Sequence, residues 1–244
     1  MSYDRPPQHR VQFSLGGGPV TPAVKFLLIL TTVLFFLQAI LHRFFGFYVE
    51  SLFGLVPYLV LHKGFLWQPV TYIFLHSELF HLGFNLLVLW MFGGELERIW
   101  GRRFFLRYFF LCGIGAGLCV VLLTPSSPVP TIGASGALYG LLLAYGLLFP
   151  NRQIFLWFLV PIRAKHFVLL IGAVAFYSTL TLPGSGVSHL AHLGGLAVGY
   201  VYLRGWGHVR QIHRVYLEKK LKRLKKKYRI VENDRDEKKR PHLH

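Results

Sequence analysis

Charged residues are scarce in this sequence, and their scarcity excludes an ordinary soluble domain. Asp, Glu, Lys and Arg make up 15% of the 244 residues, whereas 53% of the residues are hydrophobic. A soluble domain carries about 25% charged residues. The mean hydropathy is positive, at +0.45. The composition is therefore typical of an integral membrane protein.

Cysteines and metal-binding motifs are nearly absent. The two cysteines, Cys112 and Cys119, lie on one predicted helix, about 10 Å apart along its axis, which is too far for a disulfide. His81, His189 and His192 could supply zinc ligands, but the sequence has no HExxH motif and no thiolate near them. A GxxxxGK loop and nucleic-acid-binding motifs are also missing. We therefore expect no metal, no other cofactor and no nucleic-acid partner.

Apolar runs long enough to cross a bilayer, which takes about 17 to 25 residues, are abundant. They cover residues 24–42, 70–92, 104–124, 131–149, 166–182 and 188–204. The shorter apolar segment 51–62 is interrupted by Pro57, so we expect an interfacial or re-entrant piece there. The predicted fold is all-α, a six-transmembrane-helix bundle over residues 24–205, flanked by cytoplasmic tails at 1–23 and 206–244.

The distribution of basic residues predicts the orientation of this bundle, because Lys and Arg in short loops prefer the cytoplasmic side. The loops after the second and fourth runs are basic, whereas the connections 124–131 and 183–187 contain no Lys or Arg. Both termini are therefore predicted to be cytoplasmic. No organelle-targeting extension precedes the first run, so we expect a bacterial inner membrane.

Polar side chains cluster in the outer halves of the second, fourth and sixth runs, which all pass from the outer surface inward. The members are His76, His81, Asn85, Ser135, Ser188, His189 and His192. Such side chains are costly inside a membrane and normally face a cavity lined by protein. Three groups that are distant in sequence but share one depth predict a single functional site.

Glycine pairs predict how two of these groups meet. The fourth run holds a small-xxx-small pair that begins at Gly136, and the sixth run holds another in Gly195 and Gly199. Such pairs permit close contact between helices. If the two glycine surfaces meet, Ser135 and His192 come within hydrogen-bond reach, as a nucleophile and the base that accepts its proton.

A carboxylate to orient the histidine, as in a catalytic triad, is not available at this depth. Glu78, near the outer rim, is the only acidic residue close to the level of the cluster. The sequence therefore predicts a Ser/His dyad. His81 and Asn85 lie one turn apart on one helix face and can donate hydrogen bonds to a developing oxyanion. The backbone amide of Ser135 lies near the amino terminus of a helix, which carries positive partial charge, and it can stabilise the same oxyanion.

Four motifs carry a resemblance to a known family. They are HLGFN and GGELE in and after the second run, GASG followed by Tyr139 in the fourth run, and AHLGGLAVG in the sixth. In this order, over about residues 24–205, they resemble the rhomboid intramembrane serine proteases. The resemblance implies hydrolysis of peptide bonds in or beside transmembrane helices of membrane-protein substrates, through an acyl-enzyme on Ser135.

The same resemblance assigns further roles. It implies that His192 is the general base and acid, and that His81 and Asn85 stabilise the oxyanion. It also implies that Tyr139 packs on the His192 ring. The glycines that would support this arrangement are Gly133, Gly136, Gly195 and Gly199.

Two peripheral features follow from the resemblance. The first outer loop lacks the Trp-Arg pair of some relatives, which leaves open how this loop is braced. The fifth run and the PGSGV turn, with Phe176 and Tyr177 nearby, resemble the mobile gate through which substrates enter.

Other classes of function remain as alternatives. A catalytically silent relative that binds or escorts membrane helices would have lost the serine or the histidine, and both are present here. A transporter or channel would show broken helices in inverted repeats and a polar site at the midplane. Neither feature occurs in the sequence.

The tail after residue 205 is strongly basic, with fourteen Lys and Arg against five Asp and Glu. Apolar residues recur among these charges at near-helical spacing, namely Val209, Ile212, Leu217, Leu221, Leu224 and Tyr228. One interpretation is a basic amphipathic helix on anionic lipid headgroups of the cytoplasmic leaflet. The other is a solvated anchor that satisfies the preference for positive charge inside.

Overall fold

The computed structural model describes residues 18–156, 160–181, 189–205 and 216–224, and most of this chain is helical. The helices are α1 (Pro22–Phe45), α2 (Val49–Phe53), α3 (Pro57–Lys63), α4 (Gln68–Thr71), α5 (Leu79–Val88), α6 (Gly94–Trp100), α7 (Arg102–Leu123), α8 (Ser135–Leu148), α9 (Ala164–Thr181) and α10 (His189–Gly205). A 3₁₀ turn (Tyr72–Phe74) follows α4, and a π turn (Leu89–Gly93) joins α5 to α6. Two strands, β1 (Gln153–Leu156) and β2 (Val160–Arg163), precede α9.

Four of the described helices are long and apolar enough to cross a membrane. They are Pro22–Phe45, Leu79–Trp100, Arg102–Leu123 and Ala164–Thr181. The other two predicted spans correspond to α8, with 14 residues, and α10, with 17. The structure therefore supports the all-α membrane class and four spans by length and composition, and it does not establish the predicted count of six.

The second long helix begins later than the sequence predicted. It runs over Leu79–Trp100, through α5, the π turn and α6, whereas the predicted span was 70–92. The preceding residues form short turns and an irregular loop, so the prediction that His76 lies on this span was wrong. An apolar run looks the same in a helix and in a loop packed inside the protein. Ile73 and Leu75 are apolar because they are buried in the core.

The fourth predicted span, 131–149, also began too early. Residue Thr131 exchanges backbone hydrogen bonds with Leu55, and Gly133 has a φ of 118°. That φ lies in the region that favours glycine and is incompatible with a helix. α8 therefore begins at Ser135.

Helices α7, α8 and α10 pack against one another at the centre of the bundle. Two buried tyrosines tie neighbouring segments to this centre: the hydroxyl of Tyr72 donates to the carbonyl of Gly113 (2.6 Å), and that of Tyr108 donates to the carbonyl of Gly140 (2.9 Å). Close packing and hydrogen bonds between helices drive association in lipid, where apolar burial does not. Both cysteines are free thiols, as predicted.

A buried carboxylate fixes the start of α1. Glu97 of α6 accepts hydrogen bonds from the backbone amides of Ala23 (2.9 Å) and Val24 (3.0 Å) and from the hydroxyl of Thr21. The first amides of a helix lack partners inside the helix and form its positive end, so an anionic acceptor stabilises it there. Glu97 thereby joins α6 to α1 at the end of the bundle away from Ser135.

The same end carries a β-hairpin that the all-α prediction did not include. Strands β1 and β2 pair antiparallel. Arg152, just before β1, forms an ion pair with Glu95, and its guanidinium lies 4.5 Å from the centre of the Phe149 ring. Tyr216, which begins the helical residues 216–224, packs edge-on against that ring at 5.9 Å. Apart from this hairpin the all-α class is confirmed.

The apolar segment 51–62, predicted to be an interfacial or re-entrant piece, is not among the described helices that are long enough to cross a membrane. The loop that holds this segment contains the short helices α2 and α3, and Pro57 occupies the first turn of α3. The amide of Gln38, on α1, donates to the carboxylate of Glu50 on α2 (2.5 Å) and to the carbonyl of His76 (3.0 Å). This buried amide braces the loop, where the sequence left the bracing open.

Candidate active site

Ser135 stands at the amino end of α8, directly after a backbone turn that positions it. The amide of Gly133 donates to the carbonyl of Tyr72 (2.9 Å), and the positive φ of Gly133 redirects the chain into the helix. A helix amino terminus presents free backbone amides and positive partial charge. Ser135 therefore lies where developing negative charge is favoured.

The hydroxyl of Ser135 and the imidazole of His192 are in hydrogen-bond contact. Ser135 Oγ lies 2.8 Å from His192 Nε2, across 57 residues of sequence. The contact depends on the close approach of α8 and α10, because a Cβ on Gly195 would overlap the carbonyl oxygen of Gly136. A Cβ on Gly199 would lie 3.3 Å from the α-carbon of Gly140. The two glycine surfaces therefore meet in the structure.

The His192 ring is held by an aromatic neighbour. Its plane is nearly parallel to the ring of Tyr139, at 4° and with 4.2 Å between the centroids. Within the part of the chain that the structure describes, His192 Nδ1 is buried and has no hydrogen-bond partner. Stacking therefore fixes the ring where a catalytic triad would use a carboxylate.

His81 and Asn85 lie on the first two turns of α5, close to the turn before Ser135. A Cβ on Gly133 would lie only 2.8 Å from His81 Nε2, so this nitrogen faces the turn. Asn85 is buried, and its side-chain amide donates to the carbonyl of His81 (3.0 Å). An asparagine amide has two N–H groups, so one remains for another acceptor.

The other polar residues predicted to join the cluster are His76, His189 and Ser188, and the two histidines, which the structure describes, differ in position. His76 is fully buried, and its ring packs against that of His81 at 4.9 Å. Burial, and then the neighbouring His81 imidazole, lower the pKa of His76 to about 4, so His76 is neutral at physiological pH. The His189 and His192 rings are 5.9 Å apart. Ser188 lies outside the described residues.

Two polar residues near the site were missed by the sequence reasoning. Gln38 is the only amide side chain in the first apolar run. An isolated amide in a membrane span indicates a buried hydrogen-bond partner, so the sequence offered a signal for this residue. The hydroxyl of Ser77 lies 3.2 Å from His81 Nδ1. The sequence predicted a helix over this residue, whereas it lies in the loop before α5, so the contact between Ser77 and His81 was not predicted. Among the described residues, no group of three His, Cys, Asp or Glu side chains could hold a metal ion.

These helices and this site define a polytopic α-helical membrane protein with a partly buried Ser–His pair. A family model for the rhomboid domain matches residues 63–208. The chain belongs to the rhomboid family.

Several relatives are similar over the same region. The mitochondrial rhomboid protein 1 of Saccharomyces cerevisiae is 32% identical over 160 residues, which is 62% of this chain and 45% of the relative. Rhomboid protease GluP of Bacillus subtilis is 33% identical over 150 residues, 61% of this chain and 27% of the relative. Rhomboid protease AarA of Providencia stuartii is 30% identical over 170 residues, 61% of this chain and 58% of the relative. The chain thus spans only part of the length of each.

Proposed function

We propose that this protein is an intramembrane serine endopeptidase that hydrolyses peptide bonds in or next to transmembrane helices, using Ser135 and His192 as a catalytic dyad. The observation that carries the proposal is the 2.8 Å separation between Ser135 Oγ and His192 Nε2. Membership of the rhomboid family, in which two of the similar proteins are named as proteases, supports it.

In the first half-reaction, Ser135 Oγ attacks the carbonyl carbon of the scissile bond while its proton passes to His192 Nε2. A serine hydroxyl is a weak nucleophile until a neighbour accepts its proton. The tetrahedral intermediate then loses the amine as the C–N bond breaks. His192 Nε2 gives its proton to the leaving nitrogen, and the acyl group stays on Ser135 as an ester.

In the second half-reaction, water attacks the ester carbonyl. His192 Nε2 takes a proton from the water as the new C–O bond forms, and returns it to Ser135 Oγ as the ester bond breaks. The carboxylic acid product leaves and the dyad is restored. The polar side chains around Ser135 give water a path to this depth, because polar groups in a membrane line water-filled space.

The negative charge of the tetrahedral intermediate needs donors already aimed at it. His81, through Nε2, and Asn85, through its second amide N–H, are the proposed side-chain donors. The backbone amide of Ser135, at the amino end of α8, is the third. Removing one such donor typically lowers kcat by about 100-fold to 1000-fold.

The supporting residues keep these groups in register. Tyr139 holds the His192 ring by stacking. Gly133 makes the turn before the nucleophile and leaves space for His81, whose ring a larger residue would meet. The remaining glycines, Gly136, Gly195 and Gly199, allow α8 and α10 to approach closely.

The proposed substrates are proteins with transmembrane helices, reached from within the lipid bilayer. A substrate helix must unwind locally, because an intact helix keeps its carbonyls in hydrogen bonds. Helix α9 exposes Phe176 and Tyr177, and we assign it as the gate beside which substrates enter. The PGSGV turn of this predicted gate lies outside the described residues.

The proposed location is a bacterial inner membrane, with both termini in the cytoplasm. For the tail, we propose that the basic residues bind anionic lipid headgroups. Residues 216–224 are helical, and Leu217, Leu221 and Leu224 are exposed on them beside several lysines. A fluorophore attached at position 221 should be quenched by brominated acyl chains in anionic nanodiscs and much less in zwitterionic ones. Equal quenching in both lipids would favour the solvated anchor.

Labelling with a fluorophosphonate probe tests the proposed chemistry. We expect covalent modification at Ser135, located by mass spectrometry of the purified protein in detergent. Ser135→Ala should remove the label, whereas Ser178→Ala, which alters a buried serine on α9, should retain it. A catalytically silent relative would take up no label at Ser135.

A further inference from the structure

Ser77 contacts one nitrogen of His81 from the loop that leads into α5. Its Oγ lies 3.2 Å from His81 Nδ1. The serine is exposed, whereas the His81 ring is partly buried. The mechanism above uses only the other nitrogen of this ring, so it leaves the contact with Ser77 without a role.

The other nitrogen, Nε2, faces Gly133, two residues before Ser135. A Cβ on Gly133 would lie 2.8 Å from it, and Gly133 is fixed by its hydrogen bond to the carbonyl of Tyr72. The ring of His76 packs against His81 at 63°, with 4.9 Å between the centroids. Ser77, Gly133 and His76 therefore hold the His81 ring with Nδ1 towards Ser77 and Nε2 towards Gly133.

A neutral imidazole carries one proton, and the hydrogen bond at one nitrogen decides which nitrogen holds it. If the proton is on Nδ1, His81 donates to Ser77 and turns an electron lone pair towards the oxyanion. If the hydroxyl of Ser77 donates to Nδ1, the proton is on Nε2. Only the second arrangement supplies a donor where the intermediate becomes negative.

We propose that Ser77 is a positioning residue that holds His81 in the tautomer with its proton on Nε2. The proposal rests on the proposed function of His81 as an oxyanion donor. Its physical content, however, is the protonation of one ring, which can be measured without any substrate.

The direct test is ¹⁵N NMR of the full-length protein in lipid bilayers with labelled histidine. Protonated and unprotonated ring nitrogens resonate far apart, and a His81→Gln sample identifies the signals of this residue. We expect a protonated Nε2 in the wild type and a measurable population of the other tautomer in Ser77→Ala. A wild-type proton on Nδ1 would overturn the proposal, and so would an identical tautomer ratio in the two proteins.

Kinetics supply a second readout. Loss of one hydrogen bond predicts that Ser77→Ala lowers kcat by about threefold to tenfold with little change in KM. Ser77→Thr, which keeps the hydroxyl, should restore kcat. Ser51→Ala is the matched control, because Ser51 is also exposed but donates to the carbonyl of Tyr48. Equal kcat values for Ser77→Ala and the wild type would contradict the assignment.

The two measurements separate this proposal from the proposed function. If the wild-type protein cleaves no substrate, the proposed function fails while the tautomer can still be measured. If cleavage is normal and the tautomer of His81 does not depend on Ser77, only the positioning role is lost.

Discussion

The ring of Tyr139 lies flat against the ring of His192, with 4.2 Å between centroids and 4° between planes. The two residues are on different helices, α8 and α10, so the stack also fixes one helix against the other. In the proposed dyad, this stack has the orienting role that a hydrogen-bonded carboxylate has in a catalytic triad. A stack orients an imidazole without adding negative charge, which would be expensive to bury in a membrane protein.

Removing this stack should lower catalysis without removing either member of the dyad. Aromatic pairs contribute about 0.5–1.5 kcal/mol beyond the area they bury. We therefore expect Tyr139→Ala to lower kcat about twofold to tenfold, because the His192 ring gains freedom. Tyr139→Phe keeps the ring and should remain close to the wild type. If the phenylalanine variant loses as much activity as the alanine variant, the hydroxyl and not the stack is important.

Close contact between α8 and α10 should be sensitive to a single methyl group. Gly195→Ala places a Cβ against the carbonyl of Gly136, so the helices must separate, at a cost of about 1–3 kcal/mol. Thermal unfolding in detergent should show a lower Tm, together with weaker cleavage. Gly172→Ala is the control, since a Cβ there meets only Leu196 at 3.5 Å. Equal Tm values for the two variants would refute the role given to Gly195.

The brace of the first loop should be cooperative. Gln38 donates to Glu50 and to the backbone of His76, so removing either Gln38 or Glu50 breaks the same hydrogen bond between the two side chains. We expect Gln38→Ala and Glu50→Ala each to destabilise the protein, and the double variant to cost clearly less than the sum. Urea unfolding of the four proteins measures this coupling. Additive losses would mean that the two side chains act independently.

Glu78 tests whether the site is a dyad. It is exposed and precedes α5, and it is the only acidic residue that the sequence suggested as a third member. We expect Glu78→Gln to keep most of the wild-type kcat, whereas His192→Ala loses nearly all of it. A loss in Glu78→Gln comparable to that in His192→Ala would identify a missed third member.

The site was easier to predict than the segments around it. Helical spacing puts Gly136 on one face with the small residue four positions later, and it puts His192 on one face with Gly195 and Gly199. The approach of α8 to α10 then follows from the small residues. By contrast, the partners of Gln38 lie 12 and 38 residues away in sequence, and no local pattern connects them.

Apolar segments that are not helical explain why the second and fourth spans were predicted to begin too early. Ile73 and Leu75 belong to the core, and burial selects apolar residues whether the backbone is helical or irregular. The strands β1 and β2 pair antiparallel between α8 and α9, and no alternation in the sequence predicted this pairing. The start of α8 depends on one φ angle at Gly133, and glycine tolerates that angle without requiring it.

Cleavage of a single-span membrane protein by purified protein in liposomes tests the central claim most directly. The wild type should cut the substrate in or beside its transmembrane helix. Ser135→Ala should fold with the same Tm and lose cleavage by several orders of magnitude, as removal of the nucleophile does in other serine enzymes. Undiminished cleavage by Ser135→Ala would contradict the account.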